Sequence, residues 1–220
     1  MLPSAVTATL RALQPVCRVR SQTVSDSELV ERLRAGDEHA FAELVSTYQQ
    51  PLVRLALTFV PSRAVAEEVV QETFIGVMRG IGRFEGRSSL KTWIYRILVN
   101  RARTTGAREP RHVSLGEDRD GLAGRFSADG AWTDPPSAWP DDVDDRLSAP
   151  QVARRVIVAI DDLPGLQRQV VTLRDVEGLS SAEVCELLEI SEGNQRVLLH
   201  RARTKLRAMF ADELAVERRS

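Results

Sequence analysis

The chain is predicted to be all-α, with two small helical domains joined by a flexible acidic linker and a helix-turn-helix in the second domain. Apolar residues recur at helical spacing over residues 25–109 and again over residues 151–214. Between these two segments, residues 110–150 are rich in proline, contain an acidic run at residues 141–145 and show no lasting periodicity. These three observations predict two packed units with an extended connection between them.

The distribution of charge along the chain is more informative than its total. The 220 residues carry 30 lysines and arginines against 31 acidic residues, so a net charge of −1 does not by itself indicate a nucleic-acid-binding protein. Basic residues nevertheless cluster at residues 96–111 and 196–207. Cys17 and Cys185 lack CxxC spacing and the histidines lack ligand spacing, so neither a metal site nor a cofactor is predicted.

The cellular compartment follows from the cysteines and from the apolar segments. Two distant cysteines indicate a reduced chain, and no apolar run is long enough to cross a bilayer. We therefore predict a cytoplasmic protein with no membrane insertion. Residues 1–24 lack the sustained apolar core of a secretory signal and are predicted to be a disordered extension, while residues 215–220 are predicted to be a tail.

Four helices are predicted in the first domain, each bounded by capping or breaking residues. The predicted boundaries are Ser25 or Asp26 and Gly36 for the first helix, Asp37 for the start of the second, Ser62 and Gly80 for the third, and Ser88 or Ser89 for the start of the fourth. The second helix contains Pro51, which predicts a kink or a break at that point. Four apolar faces joined by short turns imply a compact helical domain.

The fourth helix and the loop before it, residues 83–103, carry the most distinctive pattern. The apolar face consists of Leu90, Trp93, Ile94, Ile97 and Leu98, and the polar face of Lys91, Tyr95, Arg96, Asn100 and Arg103. Cations for phosphates, an amide for base edges and an aromatic ring for stacking are the groups that hold single-stranded nucleic acid. The alternative interpretation is an amphipathic helix with a solvated basic face.

The second domain ends in a predicted helix-turn-helix. Ser180 and Glu183 have the spacing of a capping box, which predicts the start of a short helix. Ser191 is predicted to cap the following helix, which is longer and basic and extends to about Ala211. Two helices joined by a tight turn, with the second one basic, are typical of a helix-turn-helix.

The first residues of this last helix are predicted to contact DNA bases, because that end of a recognition helix enters the major groove. Asn194 and Gln195 carry amides that can pair with adenine, and Arg196 carries a guanidinium that can pair with guanine. The predicted phosphate contacts are Arg201, Arg203 and Lys205. The alternative is a structural helix with a charged exterior.

Both domains contain sequence motifs that resemble those of one protein family. Residues 70–74 (VQETF), 84–89 (FEGRSS) and 92–97 (TWIYRI), followed by Asn100, resemble conserved region two of bacterial RNA polymerase sigma factors, in the form found in the extracytoplasmic-function group. Residues 163–207 resemble conserved region four of the same group. Val197 and Leu198 stand where that group usually has Ser and Arg, so they are left out of the contacts that the resemblance implies.

The resemblance implies a sigma factor that binds core RNA polymerase and directs promoter-specific initiation. The downstream (−10) element would be bound by Phe84, Arg87, Ser88, Ser89, Lys91, Trp93, Arg96, Asn100 and Arg103. The upstream (−35) element would be bound by Ser191, Asn194, Gln195, Arg196, His200, Arg201 and Arg203. The polymerase would be bound by Glu68, Gln71 and Glu72, which could otherwise be ordinary solvated surface. The implied partners are core RNA polymerase, promoter DNA and an anti-sigma factor, and no enzymatic activity is implied.

Several alternatives remain at this point. Trp93 is as well suited to the core as to a binding pocket, and Trp132 and Trp139 in the linker suit either docking in a groove or packing on a domain. One rival function is a simple helix-turn-helix repressor or activator whose first half senses a signal or dimerises. Another is an enzyme with a helical accessory domain, but no nucleophile–base group, metal cluster or glycine-rich phosphate loop supports it.

Overall fold

The computed structural model describes residues 26–108 and 149–217, and every regular element within them is helical. The α-helices are α1 (Asp26–Arg34), α2 (Glu38–Ala56), α3 (Arg63–Gly80), α4 (Leu90–Arg108), α5 (Ala149–Asp161), α6 (Gly165–Val171), α7 (Ser181–Leu188) and α8 (Glu192–Glu217). A 3₁₀ turn, Ile81–Arg83, follows α3, and a π-helical turn, Thr172–Val176, follows α6. The predicted all-α class is confirmed. The predicted extension and residues 110–148 of the predicted linker, including Trp132 and Trp139, lie outside the described residues. The last two residues of the predicted linker, Ala149 and Pro150, belong to α5.

Side-chain caps begin the helices at the predicted places. Asp37 Oδ1 accepts hydrogen bonds from the backbone N–H groups of His39 and Ala40 at the start of α2. Ser62 caps α3, and Ser180 forms a reciprocal capping box with Glu183 at the start of α7. Each cap satisfies backbone donors that have no partner within the helix, so the local sequence determines where these helices start.

Helix α2 passes through Pro51 without interruption, so the predicted break is wrong. Pro51 removes one backbone donor from the helix, yet α2 runs from Glu38 to Ala56 with Pro51 buried. Leu44 before Pro51, and Leu52, Leu55 and Ala56 after it, are fully buried. Their packing keeps the last turn helical, and the chain then turns over residues 57–59, where the sequence had suggested more helix.

The first domain is built around the close approach of α3 and α4. Gly76 on α3 lies against Ile97 and Arg101, and Gly80 lies against the Trp93 ring. A Cβ atom at Gly76 would lie 3.2 Å from Ile97 Cγ2, so a larger residue would push the helices apart. The domain core contains Val30, Leu33, Leu44, Leu52, Leu55, Val69, Val77, Leu90, Ile94 and Leu98.

The second domain packs α5 and α6 against α8 and carries α7 and α8 as its helix-turn-helix. Glu189 ends α7 in the left-handed conformation with φ of 56°, which turns the chain sharply into α8. Helix α8 extends to Glu217, further than predicted and into the expected tail. The core of this domain contains Val156, Ile160, Leu163, Val170, Leu173, Val184, Leu187, Ala202 and Leu206. Helix α7 also lies against α4, and the two domains contact each other there.

Candidate nucleic-acid interface

The loop before α4 is hydrogen-bonded where it joins the helix and exposed to solvent in its centre. Gly86 has φ of 72°, a conformation that favours glycine, and Ser89 Oγ accepts a hydrogen bond from the Thr92 backbone N–H at 3.0 Å. The backbone N–H of Leu90 donates to the Asp26 carboxylate on α1 at 3.3 Å. Arg87 is 84% exposed and pairs with Glu85. The loop therefore exposes the Arg87 guanidinium just before the start of α4, whose position these hydrogen bonds fix.

Phe84 and Trp93 form an aromatic pair beside this loop. Their ring centroids are 5.0 Å apart, and both side chains are half-buried. The Trp93 ring packs on Gly80 of α3, so one part of it belongs to the core. Its remaining surface and Phe84 provide an apolar wall next to the loop, where an unstacked base can lie.

Tyr95 does not lie on the exposed polar face of α4, and that prediction is wrong. Its side chain is fully buried, and its hydroxyl donates a 2.6 Å hydrogen bond to the Glu177 carboxylate of the second domain. Burial, followed by the nearby negative charge of Glu177, raises the pKa of Tyr95 well above its usual value. Tyr95 is thus a neutral buried hydrogen-bond donor at the domain contact.

Asn100, on the remaining polar face of α4, is exposed to solvent. Arg96 and Arg103 lie on the same face as partly exposed cations, four residues before and three after Asn100. Lys91 does not share this face, because it lies on the side of α4 that carries Tyr95. The Lys91 ammonium also lies 5.5 Å from the centre of the Tyr95 ring. The structure therefore brings together two cations and one amide on a single face of α4 and places Lys91 at the contact with Glu177.

Each of these three cations pairs with a carboxylate of the second domain. Lys91 Nζ lies 3.2 Å from Glu177 Oε2, Arg96 Nη2 lies 2.6 Å from Glu186 Oε1, and Arg103 Nη1 lies 2.7 Å from Glu189 Oε1. These contacts join residues far apart in sequence, and sequence reasoning missed them. The spacing of the acidic residues on α7 is apparent in the sequence, but no local pattern indicates which helix these residues contact.

Glu177 and Glu183 anchor this contact. The Glu177 side chain is only 2% exposed and lies 3.5 Å from Arg54 of α2, in addition to Lys91 and Tyr95. Glu183 accepts a 2.5 Å hydrogen bond from Thr92 Oγ1. Burial alone would raise the pKa of Glu183, but hydrogen bonds from Thr92 and Ser180 outweigh it, so that the pKa lies below its usual value.

At the start of α8, the structure exposes most of the predicted base contacts. Ser191 Oγ accepts from the backbone N–H of Asn194 at 3.2 Å and so caps the helix as predicted. Asn194 and Arg196 are exposed, and Arg196 pairs with Glu192 one turn earlier at 3.2 Å. A helix start with exposed polar side chains is suited to contact base edges.

Gln195 is not available for such a contact. Its side chain is 2% exposed, and its Oε1 accepts a hydrogen bond from Ser181 Oγ on α7 at 3.0 Å. Its Nε2 has no hydrogen-bond partner. Gln195 falls in the inward stripe of α8, at helical spacing from the buried Leu199, Ala202 and Leu206, and this periodicity was the signal that it packs inside.

Arg203 is also engaged within the domain, although it was predicted to contact phosphates. Its Nε and Nη2 donate to both oxygens of Asp175 at 2.9 and 2.7 Å, a bidentate pair with a carboxylate that is 8% exposed. His200 is half-buried with its Nε2 3.1 Å from Thr204 Oγ1, and Arg201 is half-buried. Lys205 remains exposed. The phosphate-facing cations of α8 are thus fewer than predicted.

A second surface lies on α3, away from α4's polar face. Glu68, Gln71 and Glu72 are exposed, and Glu72 pairs with Arg101 at 2.7 Å. Next to them is a cavity of about 540 Å³ lined by Phe41, Gln71, Phe74, Ile75, Met78 and Arg79. Ile75 is 50% exposed. Sequence reasoning identified the charges here and missed the apolar groove, since Ile75 falls outside the apolar stripe of α3.

Other classes of site find no support in the described residues. No group of three or more His, Cys, Asp or Glu side chains among them is arranged to hold a metal ion. None of the helices that the structure describes combines the length and the apolar character needed to cross a membrane.

Comparison with known proteins identifies the family. Residues 44–109 match the family described as Sigma-70 region 2, and residues 153–206 match the one described as Sigma-70, region 4. The chain is 35% identical over 188 residues to the ECF RNA polymerase sigma-E factor of Haemophilus influenzae, a match that covers 83% of this chain and 94% of the relative. The chain belongs to the extracytoplasmic-function (ECF) sigma factors. It is also 35% identical over 182 residues to the RNA polymerase sigma-H factor of Pseudomonas aeruginosa, covering 81% and 90%.

Two solved structures have a similar fold. The RpoE sigma factor of Bartonella quintana, solved with the anti-sigma factor NepR, superposes with a TM-score of 0.52 at 20% identity over 78% of this chain and 96% of that one. CnrH, solved with the cytosolic domain of CnrY, superposes with a TM-score of 0.51 at 21% identity over 85% and 97%. The first domain of this sigma factor thus contains region two, with α3 and α4, and the second contains region four, with α7 and α8.

Proposed function

We propose that this sigma factor binds core RNA polymerase and recognises a promoter with both domains, one on duplex and one on separated strands. Helix α8 contacts the upstream (−35) element, and the loop and polar face of α4 hold non-template bases of the downstream (−10) element. The observation that carries this proposal is the grouping of exposed Asn100 with Arg96 and Arg103 on one face of α4.

Capture of the downstream element needs an apolar wall, an amide and cations, and the first domain has all three. Phe84 and Trp93 supply the wall, and Asn100 supplies the amide. Stacking is worth about 1–3 kcal/mol per base, which offsets the few kcal/mol that extruding a base costs. Further contacts would come from Arg87, Ser88, Ser89, Lys91, Arg96 and Arg103. No covalent step is required, so we propose a binding factor with no enzymatic activity.

Recognition of the upstream element uses the exposed start of α8. Asn194 and Arg196 are free to reach base edges, and Ser191 lies beside them at the cap. His200 and Arg201 follow on later turns and lie closer to the phosphates. Gln195 and Arg203 support the helix from within, through Ser181 and Asp175, and make no direct DNA contact in this proposal.

Core RNA polymerase would dock on α3. Glu68, Gln71 and Glu72 provide a polar rim, and the groove lined by Phe74, Ile75 and Met78 provides an apolar centre. A polar rim around an apolar centre is the usual composition of a protein interface. The similar structure solved with the anti-sigma factor NepR supports an anti-sigma factor as a further partner. Because the polymerase is the target, we place the protein in the cytoplasm.

The test is promoter opening by reconstituted holoenzyme, on a promoter found by run-off transcription with core enzyme and a genomic library. We expect Arg96→Ala/Asn100→Ala to lower open-complex formation at least about tenfold, with unchanged affinity for core polymerase. The matched control is Arg63→Ala/Gln50→Ala, which removes an exposed guanidinium and an exposed amide elsewhere in the first domain. Permanganate reactivity of unpaired thymines measures the opening.

If Arg96→Ala/Asn100→Ala opens the promoter to the same extent as the control variant, the assignment of the downstream-element site to α4 is rejected.

A second measurement distinguishes a sigma factor from a simple helix-turn-helix repressor. A flexible coil with the length of the predicted linker, about 40 residues, would average about 35 Å, whereas promoter elements ~17 base pairs apart are separated by about 58 Å. The isolated protein should therefore bind a promoter weakly, and a tight footprint without polymerase would favour the repressor.

A further inference from the structure

Val197 is an apolar residue on the outward side of α8. The buried stripe of this helix consists of Gln195, Leu198, Leu199, Ala202 and Leu206. At about 100° per residue, Val197 lies roughly 200° from Gln195 and roughly 140° from Ala202, and so almost opposite the buried stripe. Because α8 is the helix proposed to contact the upstream element, the inference drawn from Val197 rests on the proposed function.

The side chain of Val197 is not part of the protein core. It is half-buried, yet within the part of the chain that the structure describes it is not one of the half-buried apolar side chains that pack against the core. Its neighbour Leu198 is buried and belongs to the core. Leu198 therefore stabilises the domain, whereas the methyl groups of Val197 keep apolar surface that a second molecule can cover.

The helical turn before Val197 leaves open space beside these methyl groups. Side chains of an α-helix lean towards its N-terminus, over the position four residues earlier. For Val197 that position is Gly193, and no atom of the described residues other than its chain neighbours and the backbone of α8 lies within 4 Å of a Cβ built there. This open space lies at the end of α8 that enters the major groove in a helix-turn-helix.

Val197 and Asn194 together match the major-groove edge of an A·T pair. Asn194 is exposed and lies three residues before Val197, so the two side chains share one face of α8. In the major groove, adenine offers N6 and N7 to an amide, and thymine offers a C5 methyl group to an apolar side chain. An amide beside an apolar group therefore suits an adenine and a thymine that lie close together.

We propose that Val197 contacts the C5 methyl group of one thymine in the upstream element, in the open space beside Gly193 and next to the base that Asn194 contacts. Val197 is then a specificity-determining residue, because a base without this methyl group leaves its side chain uncovered. The contact lies outside those that the family resemblance implies, and it adds a preference for thymine at one position of the upstream sequence that this chain recognises.

The test replaces each thymine of the upstream element, one at a time, by deoxyuridine, which removes only the C5 methyl group. Footprinting with holoenzyme, reconstituted from the full chain and core polymerase, locates the element. The affinity of the holoenzyme for each thymine duplex is then divided by its affinity for the matching deoxyuridine duplex, for the parent and for Val197→Ala. Val158→Ala is the matched control, because it removes the same atoms from an exposed valine on α5 of the same domain.

We expect one thymine at which deoxyuridine weakens binding about threefold to fivefold in the parent and in Val158→Ala, which is the effect of one methyl group that loses its apolar contact. In Val197→Ala the two duplexes should bind equally well. The thermal midpoint of Val197→Ala should match or exceed that of the parent, because alanine is the better helix former and no core contact is lost.

The inference is overturned if no thymine shows this effect, if the effect persists in Val197→Ala, or if that variant unfolds at a clearly lower temperature, which would place Val197 in the core. Asn194→Ala distinguishes this failure from a failure of the proposed function. If Asn194→Ala weakens binding while no deoxyuridine does, α8 still contacts the upstream element and only the role of Val197 is wrong. If neither change weakens binding, the assignment of the upstream element to α8 is rejected together with the inference.

Discussion

The Tyr95 hydroxyl donates a 2.6 Å hydrogen bond to the Glu177 carboxylate, joining helix α4 of the first domain to the end of the π-helical turn in the second. Both side chains are buried, with Glu177 2% exposed. A buried carboxylate that loses a donor keeps the cost of its desolvation. This pair is therefore a structural connection between the domains.

Removal of this hydroxyl should destabilise the folded chain. We expect Tyr95→Phe to lower the free energy of unfolding by about 1–3 kcal/mol, because the buried Glu177 Oε2 loses its shortest hydrogen bond and keeps only Lys91 Nζ, 3.2 Å away. Urea unfolding followed by circular dichroism measures the change. Tyr48→Phe is the control, since the Tyr48 phenol does not donate to Glu177. Equal midpoints for the two variants would contradict a structural role of this hydrogen bond.

The domain contact should weaken in acid through Glu183. Its folded-state pKa lies below the ordinary value of 4.5, so its contribution is complete above the unfolded-state pKa and is lost as the pH falls through the folded-state pKa. Thr92→Val removes the hydrogen bond from Thr92, so this variant should be less stable than the parent at neutral pH. The difference should shrink below about pH 4. Thr104→Val, at an exposed threonine on the same helix, should show no such trend in unfolding measured across pH.

Arg203 should prove to be a stability residue. Arg203→Ala leaves the Asp175 carboxylate unpaired at 8% exposure, and we expect a loss of about 1–3 kcal/mol in unfolding free energy. Arg203→Ala/Asp175→Asn should recover most of that loss, because the uncompensated charge is gone. Calorimetry measures both variants. If Arg203→Ala alone has the stability of the parent but binds upstream DNA more weakly, Arg203 is a phosphate contact after all.

Gln195 should tolerate an apolar replacement. Gln195→Met keeps an unbranched side chain and removes a buried Nε2 that has no partner, so stability should stay equal or rise by up to about 1 kcal/mol. Holoenzyme binding to the upstream element should be unchanged. Asn194→Ala, one residue away and exposed, should weaken that binding instead. Equal weakening by both changes, measured by electrophoretic mobility shift, would mean that Gln195 reaches the DNA.

A side chain at position 106 should destabilise the fold. A Cβ atom there would lie 2.6 Å from the Phe59 carbonyl oxygen, so the backbone of α4 or of the turn after α2 would have to move. We expect Gly106→Ala to cost about 1–3 kcal/mol. Apart from Gly82 and its two chain neighbours, no atom of the described residues lies within 4 Å of a Cβ at Gly82, so Gly82→Ala should change stability by less than about 0.5 kcal/mol. The denaturant midpoints of Gly106→Ala and Gly82→Ala measure the difference. Similar midpoints would show that stability does not depend on the close approach of Gly106 to Phe59.

Local chemistry determined the helices and their starts, because capping and apolar periodicity act within a few residues. Asp37, Ser62, Ser180 and Ser191 all cap the helices that their spacing predicted. Pro51 shows the limit of such rules, since buried packing on both sides kept α2 intact across a residue that usually breaks helices.

The sequence by itself determined the all-α class, the helix-turn-helix and the polar residues of α4 and α8. Only the tertiary structure decided which of those residues are free. Tyr95 and Gln195 are amphipathic, so their polar atoms suit solvent or a buried partner equally well, and the packing of a distant element made the choice. The pairing of α4 with the carboxylates of α7 depends on contacts between domains far apart in the chain, which no local pattern contains.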